Sequence, residues 1–224
     1  MNPLTTHEFS EELVLALAKK AYEQGEASFE FTRDKCALLV IDMQDEFVRP
    51  NWTPFWVPEA TRQIPKISRL IDFCRKKAIP VIFTAFANTH NFLDRPAIGK
   101  AMPNRYPSVG THDSWFKKGD IWHELAPLPD EIVIYKPSYG AFFDTPLETI
   151  LRNLNKDSVI ICGTLTNFCC GTTARQAYER GFKVIFGSDV TSTDDPSMQE
   201  AELRVLRKGF ARVLSSEVIM KTLQ

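Results

Sequence analysis

The sequence predicts an α/β protein with three layers, in which helices cover both faces of a six-stranded, mostly parallel, doubly wound (Rossmann-like) sheet. Two observations predict it. Six short apolar runs recur along the chain, and they are nearly continuous rather than alternating, as is typical of parallel strands buried on both faces. Helical patterns separate most of these runs. Because no repeat or linker divides the chain, we expect a single domain over residues 1–224, with a helical extension at 1–33.

The elements can be assigned in order. An amphipathic helix is expected near residues 11–24. The six predicted strands are CALLVID (36–42), PVIFTAF (80–86), EIVIYK (131–136), SVIIC (158–162), KVIFGSD (183–189) and RVLSS (212–216). A helix is predicted within residues 57–78, where five apolar side chains recur at helical spacing. Pro65 falls in this segment and indicates either its first turns or a break.

Three further helices are predicted, and two of them carry signals at their ends. One begins after Thr145 as N-cap, with Pro146 in its first position and Glu148 completing a capping box. Another begins at Asp195 before a proline and stops at Gly209. The third is expected from about Phe168 to Arg180.

Residues 88–130 form a long loop without a clear period, rich in proline, glycine and aromatic residues. Loops of this length are uncommon in compact domains and are often functional. Two interpretations remain open. The loop is either a surface excursion with its own small hydrophobic cluster, or a lid or subunit-contact loop that shapes a pocket.

Composition excludes several classes of function. A formal net charge of −1 gives no electrostatic reason for nucleic-acid or anionic-membrane binding, and no apolar run approaches the roughly 20 residues that cross a bilayer. The N-terminus lacks the pattern of a secretory signal. The five cysteines are odd in number and lack zinc-like spacing, which favours free thiols in a reducing, cytoplasmic compartment.

Polar residues cluster at the ends of the predicted strands, where doubly wound sheets bind ligands. Asp42 ends the first strand, Lys136 ends the third, and the fourth leads to a cysteine pair; Asn88 and His90 follow the second, and Asp189 ends the fifth. Each has an ordinary explanation on its own, as a helix cap, a solvated strand end or a buried thiol. An acid, an amine and a thiol at one edge of the sheet together predict a catalytic site.

Helical geometry separates the two neighbouring thiols. An apolar face that should pack on the sheet carries Cys170, Ala174, Ala177 and Tyr178. A more polar side carries Cys169, Thr172, Thr173 and Gln176. We therefore predict packing at Cys170 and a nucleophile at Cys169. The helix dipole and a neighbouring lysine would favour its thiolate.

Three segments carry a resemblance to a known family. CALLVIDMQDEF, KPSYGAFFDTPLE and CGTLTNFCCGTTARQAYERGF resemble the isochorismatase-like cysteine hydrolases, which include N-carbamoylsarcosine amidohydrolase, nicotinamidase, and biuret and ureidoacrylate hydrolases. The similarity spans roughly residues 36–216. Its most specific part is the family pattern Gly-x-x-Thr-x-x-Cys, met by Gly163, Thr166 and Cys169.

The resemblance implies the isochorismatase-like hydrolase fold and a catalytic triad of Asp42, Lys136 and Cys169. It also implies a non-proline cis peptide between Thr164 and Leu165, and an oxyanion hole formed by the backbone N–H groups of Leu165 and Cys169. Homodimers or homotetramers are expected by the same analogy.

The function predicted is a cysteine-dependent amidohydrolase that cleaves a C–N bond of a small amide, ureido or carbamoyl compound through a thioester. An isochorismatase-type vinyl-ether hydrolase, which would not need Cys169, and a non-catalytic small-molecule binder are the alternatives. The FANTH segment lacks the Asp-x-His metal motif of nicotinamidases, so we predict no metal and no cofactor. The expected substrate pocket consists of Phe47, Trp52, His90, Tyr139, Phe142 and Asn167. Core packing is the alternative explanation for its aromatic members, and for Phe142 it is at least as good.

Overall fold

The structure, a computed structural model, describes residues 9–25, 27–87, 90, 93–96, 98 and 115–224. About half of the predicted loop 88–130 therefore lies outside the described residues, and the two interpretations of it stay open. The six strands are β1 (Cys36–Ile41), β2 (Val81–Phe86), β3 (Ile132–Lys136), β4 (Ser158–Thr164), β5 (Lys183–Ser192) and β6 (Arg212–Leu214).

The strands form one sheet in the order β3-β2-β1-β4-β5-β6, and every neighbouring pair is parallel. The predicted fold class is confirmed. From β1 the chain moves outward through β2 to β3, then returns and moves the other way from β4 to β6. The reversal falls between β1 and β4, which is where doubly wound sheets open a crevice at the carboxyl ends of their strands.

Helices cover both faces. They are α1 (Glu11–Gln24), α2 (Asp45–Val48), α3 (Pro58–Lys76), α4 (Leu147–Asn153), α5 (Gly171–Glu179), α6 (Pro196–Gly209) and α7 (Ser216–Thr222). Every side chain of β1 is buried, and alternate residues enter opposite cores. Leu38 and Val40 pack with α3 and α7, whereas Leu39 and Ile41 pack with α4, α5 and α6.

Some helix boundaries differ from the sequence prediction. The carboxylate of Asp195 caps α6, which ends at Gly209 as predicted. Pro65, by contrast, lies inside α3 without breaking it, on its exposed side. Glu148 does not complete a capping box at α4, because its carboxylate pairs with Arg152 and Arg180. The Thr145 hydroxyl accepts a hydrogen bond from Leu147 N–H.

The end of β5 also needs correction. The strand continues to Ser192, so Asp189 lies within it rather than at its end. Its carboxylate accepts the N–H and the hydroxyl of Ser216 and pairs with Lys66, which fixes the start of α7. Strand β6 is shorter than predicted, because the hydroxyl of Ser215 already caps α7.

Candidate active site

Asp42 and Lys136 meet at the carboxyl edge of the sheet. Lys136 is the last residue of β3 and Asp42 directly follows β1, so the lysine side chain reaches across the intervening strand β2. Its Nζ lies 2.6 Å from Asp42 Oδ2, and both side chains are completely buried. The Thr84 hydroxyl of β2 donates to Asp42 Oδ1 at 2.7 Å, and Lys136 also donates to the carbonyl of Ser138 at 3.0 Å.

This arrangement replaces the ordinary explanations for both residues. Asp42 does not cap a helix, since it has a left-handed φ of 49° and α2 begins only at Asp45. Lys136 is not a solvated strand end, because none of its side chain is exposed. The two residues form a buried ion pair at the point where the strand order reverses.

Cys169 completes the cluster from the other side of β1. It lies on a π-helical turn, Thr166–Cys170, that links β4 to α5, where a regular helix had been predicted. Its thiol is buried beside Asp42 and Lys136, which act on its pKa in opposite directions: Lys136 lowers it and Asp42 raises it. The Thr173 hydroxyl donates to the carbonyl of Cys169 at 2.6 Å and accepts from Ala141 N–H, so it ties the turn to the segment after Lys136.

The two thiols differ in their surroundings. Cys170 is fully buried in the core of the α4–α5–α6 layer, alongside Ala174 and Ala177. Tyr178 does not share this face. It is 52% exposed and packs its ring edge-on against Phe210.

Burial decides the protonation of the resting cysteine. It raises the pKa of the Cys169 thiol to about 12, against the opposing pull of the Lys136 ammonium. The Lys136 ammonium acts in the predicted direction, because it favours the thiolate, but the effect of burial on the Cys169 pKa is larger. Burial also opposes the charge of Lys136, but Asp42 and Cys169 outweigh it and hold its pKa above the usual value.

The backbone approaches this cluster closely at the end of β4. Gly163 has a φ of 118°, and a Cβ there would lie 2.0 Å from the carbonyl oxygen of Ile41 on β1. The next peptide bond, between Thr164 and Leu165, is cis. The Thr164 hydroxyl donates to the carbonyl of Ser192, and Cys170 N–H donates to the carbonyl of Leu165. These contacts fix the backbone that leads into Cys169.

Aromatic rings and an arginine form the outer part of the site. The Phe86 ring centroid lies 5.1 Å from Lys136 Nζ and 3.9 Å from Arg95 Cζ. Tyr139 lies nearly parallel to Phe86, with ring centroids 6.5 Å apart, and contacts Phe168 at 5.3 Å. Tyr139 and Phe168 are about half exposed. Sequence reasoning missed Phe86, Phe168 and Arg95.

A buried amide holds Phe86 in place. Gln44 is fully buried, accepts from Phe86 N–H at 2.7 Å and donates to Phe86 O at 3.0 Å. Its amide also donates to Glu46 at 2.7 Å, and Glu46 accepts from Phe116 N–H. Each of these buried polar atoms thus has a partner. The glutamine two residues after Asp42 is a signal in the sequence that could have located this support.

The predicted pocket residues separate into two groups. Tyr139 lies at the aromatic mouth, and Asn167, on the π-helical turn, accepts from the Thr193 hydroxyl at 2.6 Å. Phe47 contacts Phe116, which in turn lies edge-on to Phe86 of the site. Phe142 contacts Phe182 in the core cluster that also holds Cys169, and Trp52 contacts Arg49. His90 is exposed, and both of its neighbours in the chain lie outside the described residues.

Within the described residues, no three His, Cys, Asp or Glu side chains are grouped as metal ligands, and the absence of a metal stays a prediction. None of the described helices is long and apolar enough to span a membrane. Two surface cavities of about 440 Å³ each lie away from Asp42, Lys136 and Cys169, one beside α1 and one beside Arg49. The candidate site is therefore the buried Asp42–Lys136 ion pair and the residues around it, and not either of these cavities.

The isochorismatase domain model matches residues 36–218. The chain belongs to the isochorismatase family. This family member is 34% identical to nicotinamidase 3 of Arabidopsis thaliana over 190 residues, which cover 84% of the chain and 88% of that relative. It is 28% identical to the ureidoacrylate amidohydrolase of Methylorubrum extorquens over 204 residues, covering 82% and 80%.

The fold also matches that of a solved structure of a hydrolase. A crystal structure of a cysteine hydrolase from Pseudomonas syringae pv. phaseolicola superposes with a TM-score of 0.77 and 26% identity, and the match covers 89% of this chain and 97% of that one. The isochorismatase-family member is therefore an enzyme, a hydrolase.

Proposed function

We propose that this hydrolase is a cysteine-dependent amidohydrolase that cleaves the C–N bond of a small amide, ureido or carbamoyl compound. One observation carries the proposal: Asp42 and Lys136 form a fully buried ion pair, 2.6 Å apart, in contact with the Cys169 thiol. An acid–base group and a nucleophile within hydrogen-bond reach are what acyl transfer from an amide requires. The names of the two curated relatives, an amidase and an amidohydrolase, agree with this chemistry.

The first half of the reaction forms a thioester. Asp42 accepts the proton of Cys169 as Sγ attacks the carbonyl carbon of the substrate. The C–N bond of the tetrahedral intermediate then breaks, and Asp42 returns the proton to the departing nitrogen, so that ammonia or an amine leaves.

The second half releases the acyl group. A water molecule gives a proton to Asp42 and attacks the thioester carbon. The C–S bond breaks, the proton returns to Cys169, and the product is an acid or a carbamate. No net electron transfer occurs, so no co-reactant besides water is needed.

Two features would lower the barrier. The Lys136 ammonium opposes the effect of burial on the Cys169 pKa, so it stabilises the negative charge that develops on Sγ as the proton leaves. The N–H groups of Leu165 and Cys169 would hold the developing oxyanion, and such a donor contributes about 2.7–4 kcal/mol in other enzymes. Proton transfer to Asp42 together with attack by Sγ avoids a free thiolate, which the resting site disfavours.

The test is release of ammonia or amine from a panel of small amides, ureides and carbamoyl compounds. We expect Cys169→Ala to abolish release, whereas Cys170→Ala, which changes the neighbouring buried thiol, should retain activity within about tenfold. Release by Cys169→Ala at the wild-type rate would rule out the nucleophile. Retained cleavage of a vinyl ether by the same variant would favour the ether-hydrolase alternative.

A further inference from the structure

The cavity of about 440 Å³ beside α1 lies at the opposite edge of the sheet from Asp42 and Lys136. Lys183, which lines it, is the first residue of β5, so the cavity is at the amino ends of the parallel strands. Its other walls are the ends of α1, α5 and α6. The lining residues from Ala21 to Phe29 precede the family domain. The segment before the domain therefore builds one wall of this cavity.

Two glycines leave room inside the cavity. Gly181 and Gly209 both line it, and a Cβ on either one would meet no heavy atom within 4 Å. Gly181 follows α5 with a left-handed φ of 78°, so its backbone conformation requires glycine. Gly209 is the last residue of α6 and has no left-handed φ, and glycine weakens a helix relative to alanine. The backbone does not need glycine at position 209, and its missing side chain leaves the cavity open.

The charges in the lining all have one sign. Arg207, Lys208 and Lys183 line the cavity, and none of its described lining residues is an aspartate or glutamate. Lys183 pairs with Asp157 at 3.6 Å. Within the described part of the chain, neither Arg207 nor Lys208 makes an ion pair with a carboxylate. Two cations without an acidic partner in a concave site attract a negatively charged ligand.

The position of Lys208 supports this interpretation. Basic residues in the last turn of a helix commonly offset its negative end, and Arg207 and Lys208 occupy that turn of α6. Lys208 nevertheless extends away from its own helix, because its Nζ lies 4.0 Å from the centre of the Tyr22 ring on α1. The ammonium therefore lies between the two helices that enclose the cavity, rather than over the end of α6.

The apolar part of the lining is aromatic. Tyr178 and Phe210 line the cavity and pack edge to face, with ring centroids 5.3 Å apart, and Phe29 contributes a third ring. Aromatic rings pack well against the edges and faces of other rings. The cavity volume also falls within the range of about 300–1,000 Å³ that is usual for small-molecule sites. An aromatic body with one anionic group fits both halves of the lining.

We propose that this cavity is a binding site for a small aromatic carboxylate, separate from the candidate active site. The ring of the ligand packs against Tyr178 and Phe210, and its carboxylate binds between Arg207 and Lys208. A guanidinium matches the two oxygens of a carboxylate, and the ammonium adds a third charge-assisted hydrogen bond. This site does not depend on the amidohydrolase reaction proposed above.

The first test is binding of 2-naphthoate to the full chain, measured by titration calorimetry. We expect one naphthoate in this cavity, and we expect Gly209→Phe to weaken binding at least about tenfold, because the new ring occupies the cavity. Gly209→Ala is the matched control, since it also replaces glycine but leaves most of the space, and it should bind like the wild type. Absence of binding by the wild type, or equal affinities of the two variants, overturns the proposal.

The second test separates charge from ring packing. Arg207→Gln/Lys208→Gln should weaken naphthoate binding about tenfold and leave binding of the neutral 2-naphthylmethanol unchanged. Lys76→Gln/Lys221→Gln removes two cations from the last turns of α3 and α7, outside the cavity, and should have no effect. Equal losses for the two charge variants overturn the assignment of the carboxylate.

The third test excludes the aromatic mouth of the candidate active site as the place where naphthoate binds. Tyr139→Ala/Phe168→Ala removes two half-exposed rings from that mouth. We expect this variant to bind naphthoate with the affinity of the wild type. A loss as large as that of Gly209→Phe would place the ligand at the mouth and overturn the proposal.

Discussion

Asp42 and Lys136 place two opposite charges where neither is exposed to solvent. Removing such charges from water costs several kcal/mol each, which the pair and its hydrogen bonds to Thr84 and Ser138 offset. Loss of one partner leaves the other charge buried and uncompensated. The pair is therefore a determinant of stability as well as a proposed part of the reaction.

We predict that Lys136→Met lowers the free energy of unfolding by about 3–5 kcal/mol, and that Asp42→Asn/Lys136→Met recovers most of the loss. Chemical denaturation measures both. Lys66→Met is the matched control, because the Lys66–Asp189 pair is partly solvated and 3.3 Å long, so its loss should cost about 0–1 kcal/mol. A Lys136→Met variant as stable as this control would contradict the prediction.

Residues at strand ends could be found from sequence, whereas their neighbours could not. Asp42, Lys136 and Cys169 stand out because each follows a buried strand with a chemically active side chain. Phe86 is one more aromatic residue at the end of β2, and only the sheet order places its ring beside Lys136. Arg95 reaches the site from a loop, where no periodicity fixes a position.

Among the elements, β4 and the turn after it carry the tightest geometric constraint. The pairing of β4 with β5 shifts register between Ile161 and Gly163, and Gly163 lies against the carbonyl of Ile41 on β1. Any side chain at this position would push apart the two strands that hold Asp42 and Cys169. Glycine is needed both for its φ of 118° and for the close approach.

We predict that Gly163→Ala is far more destabilising than Gly181→Ala, as measured by denaturant unfolding. Gly181 has a φ of 78° but open space around a would-be Cβ, so its substitution reports backbone strain alone, at about 1–2 kcal/mol. Gly163→Ala adds a backbone overlap and should cost at least about 3 kcal/mol. Equal losses in the two variants would show that the contact with Ile41 relaxes easily.

The sequence predicted which helices form better than it predicted their local geometry. The hydrophobic period identified α3, because a buried face needs apolar residues every third or fourth position, and the signals at its two ends identified α6. Pro65 was overvalued as a breaker, since tertiary packing of Ile64 and Ile67 keeps α3 continuous around it. The π-helical turn before α5 has no hydrophobic period of its own, so sequence gave no sign of it.

Across the whole molecule, the five cysteines share one property. All are free and buried, and burial raises the pKa of each thiol, to about 12 for Cys36, Cys74 and Cys169. In the unfolded chain these thiols ionise near their usual pKa of 9.0. Above that pH the unfolded state binds fewer protons than the folded state, so its formation becomes more favourable.

We predict that the free energy of unfolding is constant with respect to these thiols below about pH 8. It should then fall above pH 9 by up to about 1.4 kcal/mol per pH unit for each thiol. Denaturant titrations between neutral and alkaline pH measure the slope. Cys74→Ala should reduce it by one thiol, whatever its effect on stability at pH 7. A stability that does not change between pH 9 and 11 would contradict the prediction.

The sequence by itself determined the alternation of strands and helices, the doubly wound class and the three polar residues of the candidate site. These features depend on local periodicity and on where a strand ends, which neighbouring residues record. Tertiary structure decided which strands lie side by side, that Thr84, Gln44 and Phe86 support the ion pair, and that burial raises the pKa of the Cys169 thiol. Burial and distance between segments far apart in the chain control those properties, and no local pattern encodes them.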